Sequence, residues 1–276
     1  MINEIFKEIE PNLNEFERSL LVESLKSIEH TQHLIRFNSF AFSFRELTRH
    51  IFKRLAPDEE VLNCLWYKNE TENDKGITRM QRIMYSIKGG LDDDFIKDEL
   101  EYDIGDVPKR LKKTIDTLSK YTHIEEATFN LDEESGKIMV LESLIALRNL
   151  FDTIKIIRDE ITSAYEHRLH EAVSFALTSD VLEEIDVLAT HYWVEGCSVE
   201  NIEVESITAK IISIIVDGEV EIEHQYGSDG DFARGDGARF EDSYPFKVNV
   251  LLDVRFPLDV DIEASDFEID NSKFYE

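Results

Sequence analysis

Apolar residues recur at Ile5, Phe6, Ile9, Leu13, Phe16, Leu20, Leu21 and Leu25. That spacing is close to 3.6 residues and predicts helix across 2–28. Pro11 falls inside the pattern and divides it into two segments. A second periodic run, HLIRFNSFAFSFRELTRHIFKRLAP, predicts a helix from near His30 to Ala56, stopped by Pro57. The polar stretch KNETENDKG reads as a loop, and shorter helices are expected at 77–88 and 107–120, with breaks at Gly89-Gly90 and Gly105. From 138 to 177 there is neither Pro nor Gly, which predicts one or two long bundle helices.

The period then changes. NIEVESITAKIISIIVDGEVEIEHQYG alternates β-branched and polar residues on both sides of Asp217-Gly218, a pair that favours a hairpin turn. FKVNVLLDVRFPLDVDIEASDFEI alternates in the same way, and the Gly- and Asp-rich GSDGDFARGDGARFEDSYPF between them reads as a loop. The expected fold class is α+β: an N-terminal helical bundle over 1–178, a connector over 179–194, and a smaller acidic antiparallel β-rich domain over 195–276.

Charge changes what such a fold is expected to do. The chain has 276 residues and a net charge of −29. From Ala176 onward 25 acids face 6 bases, while the first 175 residues hold 34 acids and 24 bases. An acidic surface repels nucleic acid at long range, which counts against a sequence-reading DNA binder. A small basic patch in the first half remains compatible with a nuclease. The longest apolar runs, such as IISIIV, are far too short to span a bilayer, and the N-terminus has no secretory pattern, so no membrane role and a cytoplasmic location are expected. Cys64 and Cys197 make neither a disulfide framework nor a cysteine metal cluster.

The candidate chemistry sits on the second helix. In steps of 100° from Phe37, residues Phe40, Ala41, Phe44, Leu47, Thr48, Ile51, Phe52 and Leu55 share an arc of about 140°. Arg45 borders this arc, Arg49 and Glu46 lie beyond it, and His50 returns on the far side. Glu46 and His50, four apart, are placed for a carboxylate to orient an imidazole, and Arg45 with Arg49 for holding a phosphate, with Lys53 and Arg54 adding charge. On chemistry alone, the solvated face of an amphipathic helix accounts for the same residues.

Arg45, Glu46 and His50 match Arg-x4-His, the pattern of the HEPN superfamily, whose helical domains include many metal-independent ribonucleases. The chain therefore resembles that superfamily. SFRELTRHIFKRLAPDEEV, LATHYW and QYGSDGDFARGDGARFEDSYPF further resemble predicted pPIWI-associating nucleases of prokaryotic defence systems, over most of 36–250. The resemblance implies RNA cleavage through the 2′-hydroxyl, with His50 as general acid or base, Arg45 stabilising the transition-state phosphate, and Glu46 setting the histidine tautomer. It implies no metal and no cofactor. No other arginine has a histidine five residues later, so a site of this kind would need a second chain, and a homodimer is expected.

Other constellations carry less. His191 with Arg234 and Arg239, two of the few bases in the second half, form a possible second site. His167 and His170 lie three apart on a helix but lack an identifiable third zinc ligand. The loop GSDGDFARGDG lacks the ligand order of an EF-hand, and no Walker loop, dinucleotide fingerprint or serine-hydrolase elbow is present. The alternative to a ribonuclease is a catalytically inactive acidic scaffold, antitoxin-like, that binds and regulates a nucleic-acid-binding defence effector.

Overall fold

The computed structural model describes residues 1–275, the side chain of Phe232 excepted. Two compact units emerge, Met1–Ile157 and Arg158–Glu276.

The first unit is helical. Helix α1 (Ile2–Ile9) gives way at Pro11 to a 3-10 turn, and α2 (Glu15–Glu29) follows. Asn14 starts α2 with a reciprocal cap: its Oδ1 accepts from Glu17 N at 2.9 Å, and Glu17 Oε2 accepts from Asn14 N at 3.1 Å. Helix α3 (Arg36–Leu55) begins six residues later than the periodicity suggests, after two tight turns closed by His33 N to the His30 carbonyl and Arg36 N to the His33 carbonyl. Asn38 and Arg36 anchor its start: Asn38 Nδ2 donates to the Tyr121 and Thr128 carbonyls, and Arg36 pairs with Glu133 at 2.5 Å. Phe40, Phe44, Leu47 and Ile51 are fully buried, and each contributes roughly 1.5–3 kcal/mol relative to exposure.

Pro57 stops α3 as expected, yet the acids behind it open a short helix, α4 (Asp58–Asn63), suited to its N-terminal end. Helix α5 (Arg79–Lys88) starts from a Thr78–Gln81 capping box, and α6 (Val107–Tyr121) runs close to its expected range. Helix α7 (Glu133–Ser179) is a single 47-residue helix that begins before the Gly-free stretch and whose last residues, from Arg158, belong to the second unit. Gly136 is tolerated there because the Phe37 ring lies where its Cβ would be, at 2.3 Å.

In the second unit, a short α8 (Glu183–Asp186) precedes a four-stranded antiparallel sheet of order β1 (His191–Ile207), β2 (Ile211–Tyr226), β3 (Ala238–Asp253) and β4 (Phe267–Ile269). The turn expected at Asp217-Gly218 is absent: β2 runs straight through it. The hairpin turns instead at 208–211, where Thr208 Oγ1 accepts from Lys210 N and Ile211 N, and Thr208 N donates to the Ile211 carbonyl. Gly218 is in the strand for contact. A Cβ there would lie 2.1 Å from the Ser198 carbonyl and 2.6 Å from the Phe246 ring. The Gly/Asp-rich segment is also not all loop, since it holds α9 (Asp229–Arg234) and the beginning of β3. Residues 244, 246, 248, 250 and 252 of β3 alternate buried with exposed neighbours, as a half-buried strand requires.

Candidate functional site

The apolar arc of α3 is buried as its periodicity dictates, so its polar residues surface together. Arg45 is half-buried, and its Nη1 donates to Thr122 Oγ1 at 3.4 Å. Glu46 accepts from Arg49 Nε at 2.9 Å. Arg49 Nη2 lies 3.1 Å from His50 Nε2, and since a guanidinium only donates, that ring nitrogen is the acceptor. The edge of the imidazole meets Phe16 of α2 at 4.9 Å between ring centroids. The carboxylate of Glu46 thus reaches the histidine through Arg49 rather than directly.

A cleft of about 530 Å³ opens beside this face. From α3 it takes Arg45, Glu46, Arg49, Phe52 and Lys53, and from across the groove Asp58, Arg79 and Arg82. Five basic side chains face two acidic ones, a local excess of positive charge in a strongly acidic chain. Arg82 is paired with Asp58 at 2.8 Å and donates to the Ala56 carbonyl at 2.9 Å, while Arg79 and Lys112 share Asp116. Arg45 and Lys53, by contrast, have no carboxylate partner among the described residues. The cleft excludes two sequence candidates. His50 points round α3 toward Phe16, and Arg54 forms a two-bond pair with the buried Glu17, at 2.9 and 2.8 Å. Arg79 and Arg82 were not legible as site residues. Their i,i+3 spacing marks one face of α5, but nothing along the chain says which helix that face meets.

In the second unit the sheet register aligns His191, Gln225 and Arg239 in one row across β1, β2 and β3. Arg239 donates to Gln225 Oε1 at 2.8 Å, pairs with Glu223 at 3.0 Å, and lies 4.7 Å over the Trp193 ring. His191 meets the same indole at 6.4 Å. Arg234, on α9, is instead held by Asp231 and Asp236. The opposite face of β2 contains a pair the sequence did not mark: fully buried His224, whose Nε2 is 2.8 Å from the Tyr244 hydroxyl. Burial holds the imidazole below its ordinary range, with Asp242 opposing more weakly, and pushes the Tyr244 phenol up.

Among the described residues no three His, Cys, Asp or Glu side chains gather as a metal-holding group, and His167 pairs only with Glu171 at 3.5 Å. Burial drives the Cys64 thiol up to about 12, the reverse of what a reactive thiolate needs. No helix among the described residues is long and apolar enough to cross a membrane.

Two family models match the chain, both described as predicted pPIWI-associating nuclease: one over residues 10–147, which includes the cleft, and one over 154–275. No curated protein and no solved structure matches.

Proposed function

The chain belongs to the family of predicted pPIWI-associating nucleases, and from that premise we propose that it is a metal-independent, HEPN-like endoribonuclease of a prokaryotic defence system, acting as a homodimer. The observation that carries the reading is the cleft, where Arg45 and Lys53 offer cationic charge unopposed by a carboxylate partner among the described residues.

In this reading a phosphodiester lies along Arg45, Arg49 and Lys53. The ribose 2′-hydroxyl attacks the adjacent phosphorus, its proton passes to a base, and the 5′-oxygen leaves with a proton from an acid. The products are a 2′,3′-cyclic phosphate and a 5′-hydroxyl. Arg45 stabilises the negative charge gathered on the phosphorus oxygens, a role for fixed donors that strengthens as the transition state forms. His50 moves the proton. On one helix Arg45 and His50 diverge by about 140°, so the histidine serving a given cleft comes from the second copy across a two-fold axis. Glu46 acts through Arg49, whose guanidinium meets the imidazole. Arg54 has a structural part in supporting Glu17.

Cleavage of mixed RNA by the pure protein in EDTA tests the proposal. Activity should persist in EDTA, fall about 10² to 10⁴-fold in His50→Ala, and fall in turnover for Arg45→Ala, with near-native melting of both variants. Cleavage that survives His50→Ala, or a protein monomeric at micromolar concentration, overturns the composite site. The alternative scaffold reading draws on the acidic stripe Asp217, Glu219, Glu221 and Glu223 along β2, and predicts no cleavage under any of these conditions.

A further inference from the structure

Phe42 is 58% exposed in the middle of the helix that lines the cleft. A single exposed aromatic is ordinary on a protein surface. Its position is what distinguishes it. It lies one turn from Arg45 and Glu46, and two turns from Arg49, on the polar side of α3. It also stands between two side chains that fasten α3 to the segment 121–128: Asn38, through the Tyr121 and Thr128 carbonyls, and Arg45, through Thr122. The ring is therefore carried on a helix anchored at Asn38 and Arg45, beside the cleft arginines Arg45 and Arg49.

Resting on the ribonuclease reading above, the geometry points to Phe42 as a platform for a nucleobase one helical turn along α3 from the cleft residues Arg45 and Glu46, and hence to single-stranded RNA as the substrate. A base stacks on the exposed ring while the phosphate beside it reaches Arg45 and the next one Arg49. A paired base has both faces covered by its neighbours and cannot make this contact, whereas an unpaired one can. Charge selects the occupant: five bases against two acids, in a chain of net charge −29, suit a polyanion rather than an apolar peptide.

The test uses the full chain and fluorescent oligouridylates with 2′-O-methyl riboses, which bind without being cut, together with an abasic strand and a duplex of equal length. The wild type should prefer the single strand to the duplex. Phe42→Ala should bind the base-bearing strand about tenfold more weakly, bind the abasic strand as the wild type does, and be restored by Phe42→Trp. Equal affinities of Phe42→Ala and wild type for the base-bearing strand overturn the inference, as does an equal loss on the abasic strand. So does a shift from dimer to monomer in sedimentation, which would show that a second copy covers the ring. If Arg45→Ala and Arg49→Ala weaken binding and Phe42→Ala does not, stacking alone fails. If none of them weakens it, the cleft reading fails as well.

Discussion

Several polar residues here take opposite roles on one helix, and their partners decide which. Arg54 and Arg45 are both α3 arginines, yet Arg54 satisfies the carboxylate of Glu17, which is 1% exposed, while the side chain of Arg45 has among the described residues only a long hydroxyl contact. A buried carboxylate without its partner costs several kcal/mol, about 3–5, so Arg54 is held where it is. His224 has a measurable consequence of its own. Its imidazole is buried and favoured neutral, so its folded-state pKa lies below the unfolded value of about 6.5. As pH falls through that value the unfolded chain takes up the proton first, and stability drops until the folded ring also titrates. The unfolding free energy should therefore decrease below about pH 6.5 more steeply in the wild type than in His224→Phe. The difference should be at most about 1.4 kcal/mol per pH unit, read from urea melts across pH 5 to 8.

Elements follow local pattern where burial is one-sided and depart from it where a neighbour intervenes. The Asp217-Gly218 pair has the composition of a hairpin turn, but strand pairing on both sides carries β2 through it. The ring of Phe246 and the carbonyl of Ser198 take the space a side chain would need. Gly218→Ala should consequently destabilise the sheet by about 2–3 kcal/mol, in the range for overpacking a filled site, seen as a lower denaturant midpoint with unchanged slope. A turn elsewhere in the hairpin explains why the pair is free to serve packing: Thr208 closes 208–211 with its own hydroxyl.

For the whole molecule the question is how an acidic chain engages a polyanion. Long-range repulsion slows encounter, so in the proposed reading binding rests on the short-range cleft. An excess of about three positive charges implies a slope of about −2 for log affinity against log salt with single-stranded RNA. Anisotropy titrations of the 2′-O-methyl strand over a salt series check it, and a slope near zero would remove the cleft as a phosphate site.

In the sequence, α4, α8, α9, the late start of α3 and the entry of β1 at His191 inside the expected connector were not legible. The sequence by itself placed most of the long helices and the buried arc of α3 through their periodicity, the change to a β-rich second half through its alternation, and the split of charge through its composition. These are properties of neighbouring residues, where the alternation of apolar and polar groups is set by which side of an element meets the core. The FRELTRH face was visible for the same reason. The gathering of Arg79 and Arg82 against Arg45, the turning of His50 toward Phe16, the row of His191, Gln225 and Arg239, and the capture of Arg54 by Glu17 were decided by tertiary structure. Each depends on which faces of separate elements come together, and side chains distant along the chain carry no local mark of the partner that packing will give them.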